Sequence, residues 1–183
     1  MTLRPGRKLA RARPAAALCI SIVLGSQAAA QAPVEYQVKA AFIYNFLSFT
    51  QWPDAAFAGA SDPLRICVFR SDPFAREMTS TVRGEMVAGH PVTVDQIGTA
   101  DDVGHCHVLF VPKGETAHTS ELLRRGELPV LTVGESDQFL RDGGTVNFVI
   151  ENGRVRFDVN QHAARDRGLN LSSKLLHLAR SVR

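Results

Sequence analysis

Residues 34–53 read VEYQVKAAFIYNFLSFTQWP, and this stretch decides the fold because its apolar side chains cover most of a helix surface. One stripe recurs at steps of three and four residues, as is typical of a helix face packed on a core: Val34, Val38, Ala41, Phe42, Phe46 and Phe49. Ile43, Tyr44 and Leu47 widen the apolar surface well beyond that stripe. A helix this apolar must be buried on two sides.

Two interpretations of this helix are open. In the first, the whole helix packs inside its own protein. In the second, one side belongs to a partner or to a second copy of the chain, and the candidate residues for that contact are Tyr36, Ile43, Tyr44, Phe46 and Leu47. A membrane span is excluded because Glu35 and Lys39 would be costly at the centre of a bilayer.

Residues 1–30 predict a secretory signal peptide. The start carries five Lys and Arg residues and no acid, an apolar run of 11 residues follows at 15–25, and alanines at 28–30 supply a cleavage site. The run is too short to cross a bilayer. We therefore expect export to the periplasm, with no stable membrane insertion once the signal is cleaved.

Loss of this segment reverses the net charge. The chain holds 21 Lys and Arg against 18 Asp and Glu, a net charge of +3. Removing the five leading cations leaves 16 (21 less 5) against 18, a net of −2. The mature chain therefore lacks the basic footprint of a nucleic-acid-binding protein.

Strands alternate with helices along most of the remaining chain. Strands are predicted at residues 64–69, 87–97, 106–111 and 128–133, and helices at 34–52, 72–82, 116–125 and 136–140. This alternation indicates an α/β fold, a mostly parallel sheet covered by helices on both faces. The strand at 106–111 is the most apolar, which predicts a central position. We expect one domain over residues 31–183.

The alternation of strands with helices ends near the C-terminus. An antiparallel β-hairpin is predicted there because Asn152-Gly153 is a strong two-residue turn signal. The turn fixes the register and directs one apolar face at the core: Val146, Phe148, Ile150, Val155, Phe157 and Val159. Two closing helices follow at 160–168 and 172–182. On the outward face, Arg154 and Arg156 could hold an anion, or they form part of a solvated charged surface.

No set of residues predicts catalysis, a metal or a cofactor. His105-Cys106-His107 suggests a metal or thiol site, but adjacent strand residues point to opposite faces. Cys67 and Cys106 are the two cysteines of the mature chain, and in an oxidising compartment they most simply form a disulfide. Two buried free thiols are the alternative.

A resemblance to the YfiR family of small periplasmic proteins is carried by two stretches, VKAAFIYNFLSFTQWP and GGTVNFVIENGRVRFDVNQHAARDRGLNLSSKLLHLAR. It implies an α/β sandwich, often dimeric, without catalytic residues, and Cys67 and Cys106 are placed like a disulfide pair of that family. It further implies repression of an inner-membrane diguanylate cyclase through the cyclase's periplasmic sensor region, which lowers cyclic di-GMP signalling. An outer-membrane, peptidoglycan-associated lipoprotein is implied as the partner that relieves repression.

A small-ligand sensor or carrier is the alternative function. Parallel α/β sheets bind ligands in a crevice at the carboxyl ends of their strands, and anionic metabolites are the ligands to test there.

Overall fold

The computed structural model of the protein describes residue 2 and residues 28–70, 73–124 and 128–183. Most of the predicted signal peptide lies outside these ranges, as do the predicted start of one helix at 72 and end of another at 125. None of the helices within them has both the length and the hydropathy needed to cross a bilayer.

Five α-helices and ten strands are formed by the described residues. In chain order they are α1 Ala28–Phe49, β1 Thr50–Gln51, β2 Leu64–Phe69, α2 Phe74–Thr81, β3 Met86–Val87, β4 His90–Ile97, β5 Val108–Val111, α3 Thr119–Leu123, β6 Leu131–Gly134, β7 Val146–Glu151, β8 Arg154–Val159, α4 Gln161–Asp166, β9 Asn170–Leu171, α5 Ser173–Leu178 and β10 Ser181–Val182. Short 3₁₀ helices span Asp54–Ala56, Ala100–His105 and Lys113–His118.

Eight strands form one sheet in the order β10-β8-β7-β6-β5-β2-β4-β3. Strands β4, β2, β5, β6 and β7 are parallel, whereas β8 is antiparallel to β7. β5 lies inside the sheet between β6 and β2, as its apolar sequence predicts. β1 and β9 pair separately. The predicted α/β class with a C-terminal hairpin is confirmed.

Side chains alternate along the strands and give the sheet two cores, one on each face. On β2, Ile66 and Val68 belong to the core under α1, α2 and α5. Cys67 and Phe69 belong to the opposite core, which α3 and the 3₁₀ helix Ala100–His105 cover. Helices on both faces make this a three-layer fold.

The Cys67–Cys106 disulfide is formed, which confirms the predicted pair. The two Cα atoms lie 5.8 Å apart, within the usual range for a bridge. It links β2 to the residue before β5 across 39 positions, and a loop of that length contributes roughly 4 kcal/mol in the chain-entropy description.

The hairpin has the predicted register, with Phe148 opposite Phe157 and Ile150 opposite Val155. Asn152 and Gly153 both have positive φ, 51° and 71°, as a type I′ turn requires. The prediction that the whole apolar face is core was wrong at the tip, where Ile150 is 55% exposed. The hairpin extends beyond the helices that cover its base.

Residues 136–140 form turns, not the predicted helix. The reason is the Phe139 ring, which lies between two glycines. A Cβ atom on Gly134 or Gly144 would come within 2.2 or 2.3 Å of that ring. The chain must therefore fold tightly around Phe139, and this geometry leaves no room for a regular helix.

The last helix also ends earlier than predicted, at Leu178 instead of near 182. Arg180 accounts for the change, because its guanidinium donates to Asp158 on β8, with Nη2 2.5 Å from Oδ2. The backbone then follows β8, with Arg180 N donating to Phe157 O. The chain thereby adds β10 to the edge of the sheet.

The rotation of α1 differs from the predicted one. Its buried side is formed by Ala40, Ile43, Phe46 and Leu47, each at most 2% exposed. Val34 and Val38, which the spacing assigned to the core stripe, are 58% and 38% exposed. Phe46 packs on the hairpin, with its ring centroid 4.9 Å from that of Phe157.

Lys39 explains this rotation. Its side chain is buried and forms ion pairs with Glu35 on α1 and with Glu135 after β6, whose Oε1 lies 2.5 Å from Nζ. Burial by itself lowers the pKa of Lys39, but the hydrogen bonds and charges of Glu135 and Glu35 outweigh it and raise that pKa. The ammonium is therefore charged at neutral pH, and it fixes α1 against the end of β6.

Replacing Lys39 by alanine should destabilise the fold by about 3 kcal/mol, because the carboxylate of Glu135 would stay buried without its cation. The measurement is urea unfolding followed by circular dichroism. Lys174→Ala, a change at an exposed position of α5, is the matched control and should alter the free energy of unfolding by less than about 0.5 kcal/mol. Equal effects of the two changes would contradict this role of Lys39.

His107 is a second buried polar anchor. Its Nδ1 accepts the N–H of Arg65 at 3.1 Å, and its Nε2 donates to Ala56 O at 3.0 Å, so the ring is neutral. Phe57 stacks between His107 and His90, with centroid distances of 4.4 and 3.9 Å. Burial, with a smaller contribution from the charge of Arg65, lowers the pKa of His107.

Because the folded-state pKa of His107 lies below its unfolded value of about 6.5, its contribution to stability is complete above that pH and is lost as pH falls through the folded-state value. We expect the free energy of unfolding to fall between pH 7.5 and 5.5. His107→Asn keeps an acceptor near Nδ1 but cannot be protonated, so it should flatten this decline. His162→Asn, at an exposed position, should leave the decline unchanged. Identical pH profiles for wild type and His107→Asn would refute the assignment.

Candidate protein-interaction site

An apolar groove of about 510 Å³ lies between α1 and the β7–β8 hairpin. It is lined by Val34, Glu35, Val38, Phe42, Ile150, Gly153, Arg154 and Val155. Three of these apolar side chains, Val34, Val38 and Ile150, are exposed by more than a third of their surface. A contiguous exposed apolar surface of this kind is typical of a protein-interaction site.

The groove follows from the local structure of its two walls. Val34, Val38 and Phe42 recur every four residues and form one line along α1. Phe42 closes the base, since its ring centroid lies 5.4 Å from that of Phe157. Ile150 and Val155 face each other next to the turn and form the opposite wall.

Charged groups at the rim are distributed unevenly. Glu35 is neutralised by Lys39, and Glu151 is engaged by Arg180, at 3.4 Å. The guanidinium of Arg154 has no ion-pair or hydrogen-bond partner within the described ranges. The groove therefore presents one cation that is available to a partner.

Asp158 does not compete for that cation. Its burial favours a higher pKa, but hydrogen bonds from Arg180 and Ser181 outweigh this and hold the pKa of Asp158 below its ordinary value. Arg180 binds the two neighbouring acids, Glu151 and Asp158. Arg154 and Arg156, the predicted anion contact, are both exposed. Of these two arginines, Arg154 lines the groove.

Three of the predicted interface residues lie in the core, and this is a correction. Ile43, Phe46 and Leu47 are 0, 2 and 1% exposed. A side chain buried to this extent offers no surface to a partner. The burial of Lys39 turns this side of α1 toward the sheet.

Tyr36 and Tyr44 are half-buried and do not line the groove. The Tyr36 ring packs edge-on against Phe74 of α2, with 6.0 Å between centroids. The Tyr44 hydroxyl donates to Glu85 at 2.6 Å, and this hydrogen bond raises the pKa of Tyr44. Both tyrosines brace α1 against its neighbours.

Sequence reasoning missed Val34, Val38 and Ile150 as surface residues. One signal for the two valines was present in the sequence: the apolar surface of α1 is too wide to be buried by the sheet alone, so part of it must face a partner or solvent. Spacing alone does not say which of two apolar sides faces the sheet. For Ile150, the signal was its position next to the turn, where a hairpin tip projects from its sheet.

A second depression of about 570 Å³ lies at the carboxyl ends of β5 and β6. Its lining is polar and mostly acidic: Lys113, Glu135, Ser136, Asp137, Gln138 and Asp142. Because Glu135 is paired with Lys39, two further carboxylates, those of Asp137 and Asp142, stand against one lysine, and this balance disfavours the anionic ligands expected at a crevice of this type. The described residues contain no cluster of three metal-binding side chains.

The His105-Cys106-His107 segment contains neither a thiol nor a shared ion site. Cys106 is bonded to Cys67, and His107 is held in the core by Arg65 and Ala56. His105 ends the 3₁₀ helix Ala100–His105.

The sequence model of the YfiR/HmsC-like family matches residues 36–180, from within α1 to the residue before β10. The chain belongs to the YfiR/HmsC-like family. Proteins of this family are regulatory rather than catalytic, and at the level of the family the match supports a periplasmic regulatory role in cyclic di-GMP signalling. The predicted family is confirmed.

Solved structures show a similar fold. A conserved domain protein from Vibrio cholerae O1 biovar El Tor matches with a TM-score of 0.53 and 10% identity. An ABC domain in complex with L-Trp from Streptococcus pneumoniae matches with a TM-score of 0.50 and 11% identity. Each match covers 81% of this chain and 60% of the other chain, so the YfiR/HmsC-like chain spans about three fifths of either structure. No curated protein matches the sequence significantly.

Proposed function

We propose that this YfiR/HmsC-like protein represses an inner-membrane diguanylate cyclase by binding the cyclase's periplasmic sensor region through the groove between α1 and the hairpin. The observation that carries the proposal is the exposure of Val34, Val38 and Ile150 side by side in a groove with a cationic rim. The family's role in cyclic di-GMP signalling supports the class of partner.

The expected contact is a mostly apolar segment of the sensor region. Its apolar side chains would cover the valines of α1 and Ile150, and an acidic residue would pair with Arg154. A central apolar contact with a charged rim matches the usual anatomy of protein interfaces. The rim charge would mainly set the rate of association and the orientation of the partner.

Repression requires only that the groove bind the inactive state of the cyclase more tightly than the active state. To leave about 1% of the activity, the difference in binding free energy must be about 2.7 kcal/mol. Burial of roughly 100 Å² of apolar surface in one state only would supply this difference. An outer-membrane, peptidoglycan-associated lipoprotein that covers the same groove would relieve repression, and so would a second copy of the chain.

Val38→Asp and Ile150→Asp should each weaken binding to the purified periplasmic region of the cyclase at least about tenfold, since a carboxylate would be desolvated at the interface. The fold should be retained because both side chains are exposed in the free protein. Leu178→Asp is the matched control: Leu178 is 59% exposed on α5, outside the groove, and its replacement should leave affinity unchanged. Calorimetry measures the affinities, and circular dichroism checks the fold.

A change at a core residue of α1 should affect stability, whereas changes in the groove should affect binding. Leu47→Ala should lower stability by about 3 kcal/mol, because Leu47 is 1% exposed. In cells, deleting the gene or introducing Ile150→Asp should raise cyclic di-GMP, whereas Leu178→Asp should not. Unchanged cyclic di-GMP after deletion would argue against a repressor, and equal loss of affinity in all three aspartate variants would argue against this groove.

A further inference from the structure

The hairpin tip carries Asn152-Gly153, an asparagine followed by the one residue that has no side chain. In such a pair the backbone nitrogen of the glycine can attack the side-chain amide carbon of the asparagine, because no Cβ atom hinders its approach. The other four asparagines precede larger residues: Asn45, Asn147, Asn160 and Asn170 are followed by Phe46, Phe148, Gln161 and Leu171. Asn152 is therefore the asparagine of this chain that is most open to the reaction.

Both reacting groups at the tip are free in the structure. The β7–β8 ladder ends at the pair Glu151 and Arg154, and the N–H of Gly153 has no hydrogen-bond partner in the described part of the chain. The side-chain amide of Asn152 has no partner among the described residues either. Asn152 and Gly153 are both exposed to water, which is the second reactant.

The other asparagines are restrained by contacts. Asn45 Nδ2 donates to Ala41 O at 2.8 Å within α1. Asn160 caps α4, since its Oδ1 accepts the N–H of Ala163 at 3.1 Å. Asn147 is 5% exposed on β7, and Asn170 Nδ2 donates to Gln51 at 3.2 Å. Their side-chain amides are thus held by the fold, in contrast to that of Asn152.

The reaction balances with water as its only co-reactant. The deprotonated nitrogen of Gly153 forms a bond to Cγ of Asn152, the Cγ–Nδ2 bond breaks, and ammonia leaves, which gives a cyclic succinimide. Water then opens the ring at one of its two carbonyl carbons. Opening at Cγ gives aspartate, and opening at the main-chain carbon gives isoaspartate, whose backbone is longer by one methylene.

Ring closure requires the turn to open transiently. A type I′ turn holds ψ of its first residue at about +30°, and the glycine nitrogen reaches Cγ only after rotation about that bond. The tip is suited to such opening because it projects beyond the helices that cover the hairpin base, where Ile150 is 55% exposed. Local opening of an exposed tip costs much less free energy than global unfolding.

We propose that Asn152 deamidates spontaneously and that the product alters the groove between α1 and the hairpin. Gly153 and Arg154 line that groove, so a carboxylate at position 152 places an acid beside its free cation. Isoaspartate has a larger effect, because the added methylene disturbs the register that sets Ile150 opposite Val155. The consequence for the cyclase rests on the proposed function, whereas the chemistry of Asn152 does not.

Ageing of the purified mature protein under mildly alkaline conditions tests the chemistry. Peptide mapping by mass spectrometry should find aspartate and isoaspartate accumulating at position 152 at least about tenfold faster than at the exposed Asn170, because only glycine leaves the attack unhindered. The rate should rise with pH, since the nitrogen reacts in its deprotonated form. Asn152→Gly is the matched control: Gly-Gly forms the same turn and has no amide to lose. An intact Asn152, or equal rates at Asn152 and Asn170, would overturn the proposal.

The effect on the groove can be measured without a partner. The methyl NMR signals of Val34, Val38 and Ile150 should shift as the wild type ages and stay fixed in Asn152→Gly. Towards the purified periplasmic region of the cyclase, Asn152→Asp should slow association about fivefold, because the new carboxylate offsets the charge of Arg154. Unchanged methyl signals in deamidated protein would overturn the link to the groove. No binding of the cyclase region by fresh wild type would count against the proposed function alone.

Discussion

The buried ion pair between Lys39 and Glu135 determines how the rest of this protein is arranged. A helix that is apolar on several sides can pack on a sheet in more than one rotation with similar burial of apolar surface. A buried ammonium removes this degeneracy, because only one rotation places it against a carboxylate. Once Lys39 is placed, Ile43 and Leu47 must face the sheet, and Val34 and Val38 must face away.

Much of the fold could be predicted because it depends on local signals. Alternation of strands with helices indicated the parallel sheet, and the apolar sequence of β5 indicated its central position. The turn at Asn152-Gly153 fixed the hairpin register residue by residue. The disulfide followed from the presence of two cysteines in a chain that is predicted to be exported. Each of these features is decided by neighbours in sequence or by residue type alone.

The parts that could not be predicted depend on contacts distant in sequence. The rotation of α1 depends on Glu135, almost a hundred positions away, and helical spacing carries no information about that partner. The turns at 136–140 depend on a ring held between Gly134 and Gly144. β10 depends on Asp158, which draws Arg180 away from a helical path. The candidate groove also depends on a distant contact. The Lys39–Glu135 ion pair sets the rotation of α1, and this rotation leaves Val34 and Val38 exposed as one wall of the groove.

An apolar groove exposed to water lowers solubility and contributes nothing to the stability of the monomer, so the shape of this one is informative. Its walls are a regular helix and a tight hairpin, and its base is fixed by contacts of Phe42 and Phe46 with Phe148 and Phe157. Such walls lose little conformational freedom when a partner binds, so more of the apolar contact energy appears as affinity. A flexible surface of equal area would bind more weakly, and a flat one would be less selective. The rigidity that fixes α1 on its buried side therefore also preorganises its exposed side for recognition.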